Sequence, residues 1–262
     1  MIQKITSLQN SLVKKTAELK NKKARQKQHA FFLEGKRAIE EALTSGWCLE
    51  ALFFTPEYKT DNLTGAEGQV PCYLVDEYIM EKMSATEHPQ SVGAVVRQRQ
   101  SSLTELLNKE GIILILDGVM DPGNLGTIIR TADAAGAMGV IVLDASVDLF
   151  NPKVIRSTMG SIFHLPVITD ITNEALKTFC QREKIPLWAT CLEGAEDYHA
   201  AQWPKKLALV MGNEARGVSE QVLSLSEKRL YIPMPGKAES LNVAIAAGIL
   251  LFAYMGKSCQ SK

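Results

Sequence analysis

The stretch from Asp117 to Val142, DGVMDPGNLGTIIRTADAAGAMGVIV, decides the fold of this chain. The aliphatic run at positions 112–116 precedes it and predicts a buried strand that ends at Asp117. Asp-Pro-Gly-Asn at positions 121–124 is typical of a turn, and from Leu125 the apolar residues recur at helical spacing. A strand, a turn and a helix form an α/β unit, whose loop lies where open α/β sheets bind ligands. An ordinary turn with Asn124 as the helix cap explains this stretch alone equally well.

The composition is that of a globular protein with an uneven charge distribution. The 262 residues include 46% hydrophobic and 22% charged residues, which suffices for one large domain or two small ones. The formal net charge is zero, but the segment from Lys4 to Lys27 is strongly basic, with Glu18 as its single acid. This basic arm predicts contact with a nucleic-acid backbone, and a solvated lysine-rich helix is the alternative.

Other classes of protein are disfavoured by what the sequence lacks. Its cysteines and histidines do not cluster at metal-ligand spacing, so we expect no metal site and no disulfide framework. The amino terminus has no signal-peptide pattern. The longest apolar run, Val243–Met255, is too short for a membrane span and predicts a core helix. We therefore expect no membrane association and a location in the reducing cytoplasm.

Strands and helices alternate along the chain, which predicts an α/β fold with two domains. A polar segment at 98–102 separates a small substrate-binding α/β domain at 1–105 from a second domain at 106–262, which we expect to have a mainly parallel sheet. The predicted strands are 30–34, 49–54, 71–75, 92–96, 112–116, 140–143, 166–168, 185–190, 207–211 and 230–232. The predicted helices lie within 2–28, at 36–44, 77–83, 151–159 and 173–183, and from 125 and 241 onward.

Two later stretches also place polar residues where a strand ends. LALVMGNEARG, Leu207–Gly217, is a buried strand followed by a glycine-bracketed loop that holds a carboxylate and a guanidinium. YIPMPG at 231–236 is a rigid proline loop, and SLNVAIAA at 240–247 begins an apolar helix. Ser240 is the expected cap of that helix, with Asn242 in its first turn. Taken one at a time, the first of these stretches is explained by a surface turn and the second by a capped core helix.

In this order the three stretches resemble the SpoU (TrmH-like) family of ribose 2′-O-methyltransferases, within the SPOUT class. The family pattern is N-x-G-x-x-x-R, then G-x-E-x-x-G, then I-P-M followed by S-L-N-V. Here it begins at Asn124, Gly212, Ile232 and Ser240, and the resemblance spans about residues 110–256. The segment 31–37, FFLEGKR, looks like the domain, similar to a small RNA-binding ribosomal protein, that many such enzymes carry.

The resemblance implies S-adenosylmethionine-dependent methylation of a ribose 2′-hydroxyl in RNA. It further implies a carboxy-terminal domain threaded into a deep trefoil knot, an exception among folds, and a homodimer with its active site at the subunit interface. We expect ribosomal RNA rather than tRNA, because the additional domain and the basic arm extend the electrostatic footprint.

Matching the family motifs also assigns roles to residues. Because a guanidinium is essentially never deprotonated, we interpret Arg130 as an orienting and charge-stabilising group, with a phosphate oxygen or water accepting the proton. The expected catalytic residues are Arg130, Asn124, Glu214, Ser240 and Asn242. The expected cofactor contacts are Thr190, Leu192, Met211, Gly212, Ile232, Met234 and Leu241. For Leu192, core packing is an equal alternative. The expected RNA contacts are Lys14, Lys15, Lys22, Lys23, Arg25, Lys36 and Arg37.

Three other functions compete with this interpretation. A tRNA 2′-O-methyltransferase differs only in substrate. A non-catalytic RNA-binding protein that retains the fold is disfavoured, because a binder has no need of all five catalytic residues. A nicotinamide-dinucleotide enzyme is disfavoured more strongly, because no G-x-G-x-x-G follows a strand.

Overall fold

A computed structural model of the protein describes residues 2–58, 70–107 and 110–258. Its strands are β1 (Ile2–Ile5), β2 (Ala30–Glu34), β3 (Leu49–Phe54), β4 (Cys72–Val75), β5 (Val92–Arg97), β6 (Gly111–Leu116), β7 (Gly139–Leu143), β8 (Val167–Ile171), β9 (Leu187–Thr190), β10 (Glu196–Asp197), β11 (Lys206–Met211) and β12 (Lys228–Tyr231). Its helices are α1 (Ser11–Glu18), α2 (Lys22–Gln28), α3 (Lys36–Thr44), α4 (Glu77–Met83), α5 (Pro122–Ala134), α6 (Pro152–Thr158), α7 (Asn173–Glu183), α8 (Glu220–Leu223) and α9 (Val243–Ser258).

The chain forms two compact units, each with its own sheet. Unit 1 comprises Met1–Arg99 and Phe150–Phe163, and unit 2 comprises Gln100–Leu149 and His164–Lys262. The segment Phe150–Phe163 was expected in the second domain, so the expected domain limits differ from the compact units there. Its aromatic residues explain the difference, because Phe150 packs on Phe31 and Phe163 on Trp47, each with ring centroids 5.1 Å apart.

The sheet of unit 1 has the order β1-β4-β3-β5-β2. The pairs β1–β4 and β4–β3 are parallel, whereas β3–β5 and β5–β2 are antiparallel. Its core includes the fully buried Phe53, Val75 and Ile79. The basic arm forms two short helices, α1 and α2, instead of one, because Leu19 to Asn21 turn between them.

The sheet of unit 2 is parallel throughout, in the order β10-β12-β9-β11-β6-β7-β8. On one face, α7 contributes Leu176 and Phe179 to a core that contains Ile115 and Val210. Elsewhere in the unit, α5 packs against α9. The expected mainly parallel sheet with a separate amino-terminal domain is confirmed. Because all strands point the same way, the loops after β6, β9, β11 and β12 lie at one edge of the sheet.

The apolar helix α9 has one solvent-exposed face. Val243, Ala247 and Leu250 are buried, as expected for a core helix, but Ile245 and Phe252 are 56% and 53% exposed. No helix within the described ranges is long and apolar enough to cross a membrane.

Candidate active site

The loops after β9, β11 and β12 enclose a cavity of about 610 Å³ in unit 2. All the expected cofactor contacts line it, namely Thr190, Leu192, Met211, Gly212, Ile232, Met234 and Leu241. Leu192 is 70% exposed, so the core-packing interpretation of this residue is wrong. The Thr190 hydroxyl is already engaged, because it donates a hydrogen bond to the Val210 carbonyl at 3.0 Å. The wall of the cavity is therefore mainly apolar side chains and main chain.

The loop after β11 folds back on itself at Gly212. The backbones of Asn213 and Gly217 exchange two hydrogen bonds of 2.9 Å. A Cβ atom at Gly212 would lie 2.1 Å from the carbonyl carbon of Gly217 and 2.2 Å from the amide nitrogen of Val218, closer than real Cβ contacts. Only glycine fits this position, so the cavity wall consists of main chain here. We call this folded-back main chain the Gly212 cradle.

Asn213 joins the loop after β11 to the loop after β6, a role that the sequence did not predict. Its Nδ2 donates to the Gly118 carbonyl at 2.7 Å, and its Oδ1 accepts from the amides of Ala215 and Arg216 at 2.9 and 3.1 Å. Asparagine commonly bonds the backbone two residues onward in turns, and this propensity was the available signal.

Asp117 and Ser146 also hold these loops, and both were missed as site residues. The buried Asp117 carboxylate accepts a 2.7 Å hydrogen bond from the Ser219 amide. The Ser146 hydroxyl accepts from the amides of Gly118 and Val119 at 3.1 and 3.2 Å. The loops after β6, β7 and β11 are therefore hydrogen-bonded to one another.

Three expected catalytic residues form a hydrogen-bonded chain beside the cavity. Asn242 Nδ2 donates to Asn124 Oδ1 at 2.9 Å, and Asn124 Nδ2 donates to Glu214 Oε1 at 2.9 Å. We call Asn242, Asn124 and Glu214 the amide relay. Each amide group has one donor end and one acceptor end, so the Glu214 carboxylate fixes the orientation of Asn124, which in turn fixes Asn242. Glu214 lines the cavity.

Asn124 is free for this role because another residue caps α5. The Asp121 carboxylate accepts a 2.8 Å hydrogen bond from the Asn124 amide, and Pro122 occupies the first turn. The interpretation of Asn124 as the helix cap is therefore wrong. Its side chain bonds two residues that are distant in sequence instead.

The cap of α9 is Asn242 and not Ser240. Asn242 Oδ1 accepts from the amides of Ala244 and Ile245 at 2.9 and 3.3 Å, and its carbonyl accepts from Ala246. These bonds match the standard arrangement at the start of a helix. Asn242 thus uses its oxygen for the helix and its nitrogen for the relay. Ser240 is exposed and lines the cavity.

Arg130 is exposed on α5, two helical turns beyond the residues that begin it. It does not line the cavity, and its side chain forms no hydrogen bond or ion pair with a residue in the described ranges. A guanidinium without such a partner is available to a phosphate or hydroxyl of a ligand.

The expected RNA-binding cations are exposed, with one exception. Lys14, Lys15, Lys22, Lys23, Lys36 and Arg37 lie at the surface of unit 1. Arg25 is only 3% exposed, and its guanidinium donates to the carbonyls of Leu19 and Lys20, each at 2.8 Å. These bonds hold the turn between α1 and α2, so the expectation that Arg25 contacts RNA is wrong. The pKa of Lys20 is lowered by burial and by the neighbouring Lys82.

The cavity fits S-adenosylmethionine in size and chemistry. Its volume lies within the range of small-molecule sites. Apolar side chains, the Gly212 cradle and the carbonyls and amides of three loops suit an adenine ring and a sulfonium group. Among residues 2–58, 70–107 and 110–258, no three His, Cys, Asp or Glu side chains come together as a metal site.

A parallel α/β sheet with such a cavity and relay at its carboxyl edge is typical of a protein that binds a small molecule, and comparison with known proteins gives the family. The model of the SpoU rRNA Methylase family matches residues 111–252, and that of the MRM3-like substrate binding domain matches residues 10–94. The chain belongs to the SpoU rRNA methylase family. The predicted family and enzyme class, an S-adenosylmethionine-dependent RNA ribose methyltransferase, are confirmed.

Individual relatives cover almost the whole chain. The 23S rRNA (guanosine(2553)-2′-O)-methyltransferase RlmP of Bacillus subtilis is 35% identical over 97% of this chain and 100% of its own. The AdoMet-bound rRNA methyltransferase of Sinorhizobium meliloti has a TM-score of 0.88 and 36% identity, covering 98% of both chains. The methyltransferase AviRb of Streptomyces viridochromogenes, in complex with AdoMet, has a TM-score of 0.89 and 27% identity, covering 96% of this chain and 99% of its own.

Proposed function

We propose that this enzyme methylates a ribose 2′-hydroxyl of large-subunit ribosomal RNA in the cytoplasm. The amide relay carries this proposal, because it joins the three family motifs at the rim of a cavity that fits the methyl donor. The relative RlmP modifies 23S rRNA according to its name and matches this chain from end to end. That full-length match favours ribosomal RNA over tRNA as the substrate.

In the proposed mechanism the cofactor supplies an activated methyl group, and the protein positions and polarises the hydroxyl. A guanidinium offers only hydrogen-bond donors, so Arg130 orients the ribose and stabilises the developing negative charge on the oxygen. A phosphate oxygen or water receives the hydroxyl proton. The relay holds Asn124 in one orientation, and Ser240 completes the rim. Alignment of the two reactants supplies much of the rate enhancement.

The cofactor is held mainly by main-chain groups at the ends of the strands. The backbones of Gly212, Ile232 and Leu241 would bind it, with apolar cover from Leu192 and the two methionines of the cavity. Any side chain at Gly212 would collide with the backbone of Gly217 and Val218 and displace this loop. We further propose that the segments after β11 and β12 form the deep trefoil knot that the family resemblance implies. A crystal structure with S-adenosylmethionine tests the knot and each contact.

We also propose a homodimer that uses the exposed face of α9. Ile245 and Phe252 are seven residues apart, which places them on the same side of the helix, and both are more than half exposed. A second copy of the chain would cover this apolar face. Analytical ultracentrifugation should show a dimer, and Phe252→Glu should shift it toward the monomer. A monomeric wild-type protein at micromolar concentration would contradict the dimer.

The experiment for the proposed function is a methyl-transfer assay with methyl-labelled S-adenosylmethionine and unmodified ribosomal RNA or tRNA. A 2′-O-methyl group blocks alkaline cleavage at its own linkage. Label in alkali-resistant dinucleotides from ribosomal RNA is therefore the expected result. Arg130→Ala should abolish it and retain cofactor binding. The matched control is Arg182→Ala, which removes an arginine with a 64% exposed side chain from α7 of the same unit and should leave the rate unchanged.

Other outcomes separate the alternatives. Alkali-resistant label on tRNA alone would reassign the substrate. Label released by alkali, or attached to a base, would refute ribose methylation. Binding of RNA with neither cofactor binding nor transfer would favour a non-catalytic RNA-binding protein. Equal activity of the Arg130→Ala and Arg182→Ala variants would remove Arg130 from the mechanism.

A further inference from the structure

Unit 1 contains a second cavity, of about 310 Å³, that the cofactor site does not use. One wall is formed by the end of β2 and the first turn of α3, and the other by α6 and the residues that follow it. Since α6 belongs to the segment Phe150–Phe163, the cavity requires both parts of unit 1. Its volume is close to the lower limit of sites that bind small ligands.

The walls of this cavity are largely apolar and include Phe32, Ile155, Met159 and Phe163. The Phe32 ring itself lies over Gly93 and packs toward Phe53, on the opposite face of the sheet from the Phe31 ring that contacts Phe150. Met159 is in the left-handed conformation at the end of α6, with φ of 50°, and is 58% exposed. Its thioether provides an exposed apolar surface for a planar group.

Cations line the same cavity, and one of them has no acidic partner among the described residues. Lys36 and Arg37 pair with Glu40 and Glu41 at 3.6 and 4.0 Å, long distances for ion pairs at an exposed surface. Arg156 is exposed and forms no hydrogen bond or ion pair with any side chain in the described part of the protein. A phosphate group suits such a cluster, because arginine offers paired donors to its oxygens.

Polar groups between these regions can bond the edge of a planar ring. Glu34 lines the cavity, and its carboxylate accepts hydrogen bonds from the Ser84 hydroxyl at 2.8 Å and from the Thr86 hydroxyl at 3.3 Å. Gln90 adds an amide with both a donor and an acceptor. A nucleobase presents such donors and acceptors along its edge and an apolar face above and below.

We propose that this cavity binds one unpaired nucleotide of the RNA substrate. The base packs on the exposed Met159 side chain, and the phosphate binds Arg156 with Lys36 and Arg37. This inference rests on the proposed function only in taking RNA as the ligand. Single-stranded nucleotides are commonly recognised by stacking on side chains together with cations along the backbone.

The test uses the full-length enzyme, transcribed 23S rRNA, and the variants Arg156→Gln and Met159→Ala. Arg97→Gln is the matched control, because it removes one exposed arginine from the same unit outside the cavity. Each cavity variant should raise the RNA concentration that gives half-maximal methylation about 5- to 10-fold, with the rate at saturating RNA unchanged. Base-specific chemical probing should show one unpaired nucleotide protected by the wild type and exposed with both cavity variants.

If both cavity variants reach half-maximal methylation at the same RNA concentration as the wild type, the proposal is refuted. An equal weakening by Arg97→Gln would also overturn it, because the effect would then be general electrostatic attraction. If the wild type transfers no methyl group to ribosomal RNA, the proposed function fails. The affinity of each variant for the same RNA is then measured by filter binding instead of by methylation. In that assay a 5-fold weakening restricted to the cavity variants supports the nucleotide site, and equal binding by all variants refutes it.

Discussion

Asn242→Asp separates the two roles of Asn242. The new carboxylate retains an oxygen that can accept from the amides of Ala244 and Ile245, so α9 keeps its cap. It has no donor for Asn124 Oδ1, and the 2.9 Å bond between the two side chains is lost. If the Asn124 amide turned to donate to the carboxylate, it would present its oxygen to Glu214. Only one of the two bonds of Asn124 can therefore survive.

The expected loss of activity follows from one hydrogen bond. A single such bond contributes about 0.5–1.5 kcal/mol, which corresponds to a roughly 2- to 13-fold slower methyl transfer if Asn124 must be fixed in the transition state. Asn124→Ala removes both relay bonds and should slow transfer by roughly 5- to 150-fold. Asn242→Ala also removes the cap, at a cost of about 1 kcal/mol, and should lower Tm by about 2–4 °C.

Single-turnover methylation at saturating cofactor and RNA, together with thermal denaturation, measures both roles. Asn242→Asp should be slow with the Tm of the wild type, and Asn242→Ala should be slow with a lower Tm. Wild-type rates for Asn242→Asp would show that the relay does not position Asn124 for the reaction. A Tm loss as large in Asn242→Asp as in Asn242→Ala would show that the cap and the relay cannot be separated.

Three further substitutions test the loops and the core. Gly212→Ala should weaken cofactor binding at least about 10-fold by calorimetry, because its Cβ collides with backbone, whereas Gly236→Ala has nothing within 4 Å and should bind normally. Equal affinities would refute the cradle. Asn213→Ala should lower stability by about 1–3 kcal/mol and raise KM for S-adenosylmethionine, since the Gly118 carbonyl loses its donor; an unchanged denaturation midpoint would contradict this. Burial raises the pKa of Tyr254 to about 12. The unfolded phenol ionises near pH 10, so stability should decline between about pH 10 and 12, and less steeply in Tyr254→Phe; identical pH profiles in chemical denaturation would contradict this.

The regular elements were predictable because their signals are local. The aliphatic run that forms β6 and the apolar spacing of α5 depend on residues within a few positions of one another. Both elements form, although α5 begins at Pro122, within the predicted turn, and not at Leu125. The residues lining the cofactor cavity were also identified, because the family motifs fall at the ends of parallel strands. Their roles in cofactor binding remain proposals.

The parts that sequence did not predict depend on distant contacts. Arg25 has the same local sequence pattern as the exposed lysines of the basic arm. Only the folded turn after α1 shows that its guanidinium donates to main-chain carbonyls of the protein itself. Asn213 occupies a position that the family motif leaves open, yet it bonds a carbonyl 95 residues away. Ser240 and Asn242 are both good caps, and the choice depends on the exact start of α9.

The membership of Phe150–Phe163 in unit 1 has a consequence for synthesis on the ribosome. The chain emerges from its amino terminus, so unit 1 stays incomplete until Phe163 has been made. By then β6, α5 and β7 of unit 2 have already been synthesised. Until that segment arrives, Phe31 and Trp47 lack the aromatic partners that later cover them. A nascent chain paused before Phe150 would thus expose an apolar surface that chaperones can bind, and unit 1 cannot mature before the first part of unit 2 has been made.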